Sequence, residues 1–202
     1  MDMATKQGST LEVYDYDPKL HEAFRIAGGG RIADAELDAI AAHRHTLYCL
    51  SSGVSLETAR QMLKFGVGLL DAGGLAIKVE SSGVAHSAAR WRKLAASGDL
   101  FDIYTAFVTL IGGKECFYSC GMHAFGLPDA AVPRDQDTKV AAQLLNAFNH
   151  HLVADKPSLM DGHTFSIAVD APRFKLRLTP CDTYEPGHPF HNPFGIWRLT
   201  RA

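Results

Sequence analysis

Leu56, Ala59, Leu63, Val67 and Leu70 recur every three or four residues, and Glu57, Arg60, Gln61 and Lys64 fill positions between them. That spacing places the apolar side chains along one stripe of an α-helix, so residues 56–71 predict a helix, stopped by Gly73 and Gly74. The same period over 138–154 points Ala141, Leu144, Leu145, Phe148 and Leu152 inward. Shorter helices are expected at 34–43, with Asp34 as cap, and at 87–96. A period of two marks strands. Leu75, Ile77 and Val79 alternate with Ala76, Lys78 and Glu80. Phe165, Ile167 and Val169 alternate too, as do Phe174, Leu176 and Leu178, which predicts an antiparallel hairpin across residues 170–173.

The nearly unbroken apolar run 103–111 reads as a central strand covered on both faces, turning at Gly112 and Gly113 into a strand at 116–120. Further strands are expected at 46–50 and 196–200, and an edge strand at 10–16, while 121–137 reads as irregular. Gly28, Gly29 and Gly30 lack the following Lys-Ser/Thr of a phosphate loop, so they read as a turn. From 75 to 169 the order is strand, helix, strand, strand, helix, strand, the split βαβ or ferredoxin-like pattern. The expected fold is therefore α+β: a mixed, mostly antiparallel sheet with helices mainly on one face. Strands 75–79, 103–111, 116–120 and 165–169 should share that sheet. One domain over residues 1–202 is the expectation, with 1–31 a loosely packed N-terminal segment.

Composition narrows the classes. The chain is 47% hydrophobic and 21% charged, which excludes disordered and fibrous classes. A net charge of -2 gives no electrostatic reason to expect nucleic acid or an anionic membrane as partner. Residues 1–10 lack the apolar core of a secretory signal, so the expected location is the cytoplasm. Cys49, Cys116, Cys120 and Cys181 are then expected as free thiols.

Several residues could carry chemistry. Residues 121–129 read Gly-Met-His-Ala-Phe-Gly-Leu-Pro-Asp; the glycines permit unusual backbone, and Asp129 can cap a turn or bind a cation. Asp161 and His163, in the run Asp-Gly-His-Thr, form a possible acid–base pair, though a turn alone explains Asp-Gly. Cys116, Cys120 and His123 have a metal-like spacing, but a straight strand keeps the two sulfurs apart. Cys120 with His123 or His163 as base is a conceivable nucleophile pair. The proline-rich stretch 180–194 has the length of a binding loop, and His188 and His191 within it could hold a metal.

The two runs at 121–129 and 161–164 resemble a bacterial family of unknown function marked by Gly-(Leu/Met)-x-x-(Phe/Leu)-Gly-x-x-(Glu/Asp) and then Asp-Gly-x-Thr. By element order the resemblance spans about residues 40 to 180. It implies a bacterial cytoplasmic protein without an established activity. With no cofactor fingerprint and no assembled nucleophile, base and oxyanion donors, the expectation is a non-catalytic protein that binds or regulates another protein, such as an immunity-type inhibitor. The expected cofactor is none, the expected binding residues are His123, Asp129, Asp161, His163, His188 and His191, and no metal ligand is assigned. The rival is a small hydrolase or metal-dependent enzyme using Asp161, His163, Cys120 and His123.

Overall fold

A computed structural model describes residues 9–51 and 53–202. Strands β1 (Ser9–Asp15) and β2 (His45–Ser51) pair antiparallel as a two-stranded ribbon, and between them run helices α1 (Leu20–Gly28) and α2 (Asp34–Ala41). Helix α3 (Leu56–Asp71) follows, started by Ser55, whose hydroxyl accepts from Thr58 N at 3.0 Å. Strands β3 (Ala76–Val79) and β4 (Val84–Ser87) form a second antiparallel ribbon. Ser87 also caps α4 (Ala88–Ser97), and α5 (Leu100–Phe107) leads into β5 (Thr109–Gly112) and β6 (Cys116–Cys120).

After a 3-10 turn (Met122–Phe125) come β7 (Asp129–Pro133), α6 (Thr138–Asp155), β8 (Thr164–Phe165), β9 (Phe174–Thr179) and β10 (Ile196–Arg201). Six strands make one sheet in the order β5-β6-β7-β10-β9-β8, with β7 and β10 parallel and the other neighbours antiparallel.

The class is α+β with a mixed, mostly antiparallel sheet, as the periodicities imply, but the strand order differs from a split βαβ unit. Residues 103–107 are helical, because Asp99 caps α5 by accepting from Phe101 N at 2.7 Å. An all-apolar run fits a buried helix as well as a buried strand, and here the cap decides. Strand β3 lies outside the large sheet, since the turn after it, closed by Gly83 N donating to Val79 O at 2.9 Å, folds it onto β4 instead. Strand β8 is two residues long rather than five. Beyond it the chain leaves the sheet, and Val169 is 94% exposed. Residues 129–133 form β7, where irregular chain was expected.

Alternation along the strands sorts the sheet into two faces. Phe117, Val132, Trp197 and Leu199 belong to the main core, shared with α3, α4, α5 and α6. Tyr118, Ala131 and Ile196 face the other way and are covered by Cys181 and Tyr184 from the long proline-rich loop. A smaller cluster of Phe24, Ile32, Leu37, Ile40 and Ala85 ties α1 and α2 to β4, Phe24 being its one buried member from the segment 1–31. Residues 1–8 lie outside the described residues.

Trp91 of α4 fills the middle of the core. Its Nε1 donates to Leu63 O at 3.0 Å, and its ring meets Phe107 edge-on at 5.9 Å. Gly66 of α3 makes room for it: a Cβ there would stand 2.5 Å from the indole Nε1. Gly66→Ala should therefore lower stability by about 1–3 kcal/mol through displacement of the indole, outweighing alanine's better helix propensity. The checks are the urea midpoint and the tryptophan emission of the folded protein; an unchanged midpoint would show that the helices separate at no cost.

Candidate functional site

Gly121 ends β6 with a φ of +119°, and a side chain there would run into the carbonyl of Phe107. This turn aims its backbone at Asp129, which is 3% exposed at the start of β7. One carboxylate oxygen accepts from Met122 N and from Ser119 Oγ, each at 3.2 Å. The other accepts from Asn192 Nδ2 at 2.7 Å. Ser119 Oγ also accepts from Ala130 N at 2.9 Å, and Asn192 Nδ2 donates to Leu127 O at 3.0 Å. Burial pushes the Asp129 carboxyl up to about 6, although hydrogen bonds from Asn192, Met122, Ser119 and Gly121 pull the other way. Asp129 thus clasps the 121–129 turn to the long loop.

The other expected site residues scatter. Asp161 accepts from Leu178 N at 2.8 Å, and His163 Nδ1 accepts from Met160 N at 3.4 Å, so both are engaged in the turn that leads into β8. Asp129 neighbours Ile196, Ile196 pairs with Thr179, and Asp161 lies beyond β9. Strands β10 and β9 thus lie between them, two strand spacings of about 10 Å in all plus the Asp161–Leu178 bond, and among the described residues no hydrogen bond joins the 121–129 and 161–164 segments.

Cys120 is buried, its thiol 3.8 Å from Ser81 O, and burial pushes the thiol far above its ordinary range, which opposes thiolate chemistry. Cys116 lies four residues away on the same strand. His191 Nδ1 donates to Tyr184 O at 2.8 Å, and His188 stacks on Tyr184 with ring centroids 4.7 Å apart. Among the described residues, no three His, Cys, Asp or Glu side chains gather as metal ligands.

His123 behaves differently. Its two ring nitrogens are buried without a hydrogen-bond partner, and burial, then nearby His191, hold its pKa below the usual value. It lines a cleft of about 910 Å³ that sequence reasoning missed. The floor is one face of α3, carrying Thr58, Ala59, Met62, Phe65, Gly66 and Leu69. One wall is β2 and the other is β3. Leu47, Leu50, Val54, Phe65 and Leu75, all lining residues, are large apolar side chains left between 39% and 53% exposed. The missed signal is the ribbon's own pattern: Leu47 and Leu50, at positions of opposite parity, leave neither face of β2 purely polar.

Residues 118–187 match the family model described as Domain of unknown function (DUF4261), a span that contains β7, the 161–164 turn and most of the proline-rich loop. The searches of curated proteins and of solved structures returned no match. Among the described residues, no helix is long and apolar enough to cross a membrane.

Asp129 gives the site a testable pH signature. Its folded pKa is raised from 3.8, so the folded chain takes up a proton before the unfolded chain does, and this group's contribution to stability grows as pH falls from about 7 toward 4. His86, held down to about 4 by burial, works in the opposite sense. Comparison with Asp129→Asn at each pH cancels His86 and isolates Asp129. The wild-type chain should gain on the variant by up to about 3 kcal/mol over that range, read from urea unfolding; parallel pH profiles would show an unshifted carboxyl.

Proposed function

We propose that this is a non-catalytic protein of the bacterial cytoplasm that binds or regulates another protein, an immunity-type inhibitor being one concrete form. The observation that carries the reading is the apolar cleft over α3, whose exposed Leu47, Phe65 and Leu75 make a contiguous patch of the sort protein partners cover. The enzyme reading has less support: Asp161, His163 and Cys120 are each tied to separate backbone groups, and only His123 opens on the cleft.

The test compares capture by the intact chain and its variants. Phe65→Asp and Leu47→Asp replace partly exposed side chains and should leave the fold intact. Each should cut recovery of a stoichiometric partner at least about tenfold, as loss of a central apolar anchor does. Cys120→Ser and His163→Ala should leave recovery unchanged. Undiminished recovery with Phe65→Asp would refute the cleft as the binding surface.

A further inference from the structure

The cleft is touched by every residue of β2 and every residue of β3, yet by only Val13 of β1 and by no residue of β4. Successive side chains on a strand point to opposite faces, so a surface reached from both parities lies along the strand's edge, where the main chain is open. Strand β2 spends its other edge on β1, and β3 spends its other edge on β4. Among the described residues, neither cleft-side edge has a backbone partner. Each ribbon has only two strands, an arrangement marginal in water without further pairing or packing. Two buried polar groups on the same cleft also lack partners: Thr46 Oγ1 and the His123 ring.

Resting on the protein-binding reading above, we propose that an extended segment of the partner protein inserts between β2 and β3 as an added strand, with an acidic group at one end meeting Arg44. Charge selects that end. Arg44 is exposed at the start of β2, lines the cleft and makes no ion pair among the described residues, whereas its neighbours are engaged, His45 facing Asp15 at 3.7 Å and His43 accepting from Asp17 N at 3.1 Å. The other charges on the walls, Lys78 and Glu80, neutralise each other at 2.5 Å. The inserted strand would satisfy both open edges, joining β1–β2 and β3–β4 into one five-stranded sheet over α3. Its apolar side chains would rest on Met62 and Phe65, and a polar one would reach His123.

The experiment uses the intact chain and synthetic seven-residue peptides, matched to the length of β2, alternating valine and threonine and ending in glutamate or in lysine. The glutamate-ended peptide should bind at least about tenfold tighter than the lysine-ended one, and Arg44→Glu should reverse that order. Methylating alternate peptide amides should weaken binding by at least about tenfold, because ladder hydrogen bonds are lost. Binding should also slow hydrogen exchange at residues 45–51 and 76–79.

Equal affinity of methylated and unmethylated peptides, binding that ignores the end charge, or binding of decanoate with no peptide binding would each overturn strand insertion. If the peptides fail while Phe65→Asp still releases the captured partner, strand insertion falls and the protein-binding reading stands. If Phe65→Asp releases nothing, that reading falls with it.

Discussion

A carboxylate shut away from water must have its lone pairs filled by donors, and at Asp129 this requirement organises the middle of the chain. Met122 N, Ser119 Oγ and Asn192 Nδ2 arrive from three separate segments: the 3-10 turn, β6 and the long loop before β10. Removing any one donor leaves charge buried without compensation, which costs more than the bond contributes on its own. The clasp therefore fixes the turn after β6 and anchors the proline-rich loop across the outer face of the sheet. With that loop in place, Tyr184 covers Tyr118 and Ala131, and the two tyrosine hydroxyls meet at 2.7 Å. A segment without regular structure is thereby held by polar bonds at its base and aromatic packing along its length.

The rest of the molecule divides into a satisfied part and an open part. In the six-stranded sheet, β6, β7, β10 and β9 each have neighbours on both sides, and α6 closes the inner face. The two ribbons have only two strands each, and although helices bury β4, the cleft-side edges of β2 and β3 are left open. With α3 they line the cleft and leave apolar side chains exposed within it. Unpaired strands with apolar character are an aggregation hazard that folded proteins normally blunt with charge, proline or a covering element. Among the described residues, no such device protects the cleft-side edges of β2 and β3, apart from Arg44 at one end and the Lys78–Glu80 pair at the other wall. A partner that covers them removes the hazard, and this physical logic links the open architecture to the proposed function.

Legibility in the sequence followed how local each determinant is. Helix α3 occupies the span its apolar stripe marks, and β6 spans Cys116–Cys120 as its apolar and aromatic residues suggest. These elements are fixed by periodicity within their own residues. Residues 103–107 are helical where a strand was expected, because a uniformly apolar run has no period to read and the deciding signal was the single cap at Asp99. Strand β3 was recognised, but its partner was not, since pairing was set by the glycine turn at 83 rather than by side-chain pattern. The 121–129 and 161–164 segments stood out for their glycines, but the bonds that hold them come from residues distant in the chain, Asn192 on Asp129 and Leu178 N on Asp161, which no local pattern shows. The cleft went unseen because its walls are strand edges about 30 residues apart in the chain, joined only by the helix beneath them.

These two halves of the structure meet at the turn between β3 and β4. Gly83 packs against Phe190 of the proline-rich loop so closely that a Cβ there would stand 2.6 Å from the ring. The same ring meets Tyr184 edge-on at 5.4 Å, and the loop is anchored below by Asn192 on Asp129. Cys120 adds a second brace, its thiol directed at Ser81 O in that turn. The turn is continuous with β3, one wall of the cleft. The position of that wall is therefore set from the far side of the molecule, through a chain of contacts running from a buried carboxylate to an asparagine, a phenylalanine and a glycine. Among the described residues, the other wall, β2, has no comparable brace; it follows α2 and precedes α3 in the chain. A cleft with one wall fixed and one wall on a two-stranded ribbon can widen or narrow by moving the ribbon alone, which is the freedom an inserted strand requires.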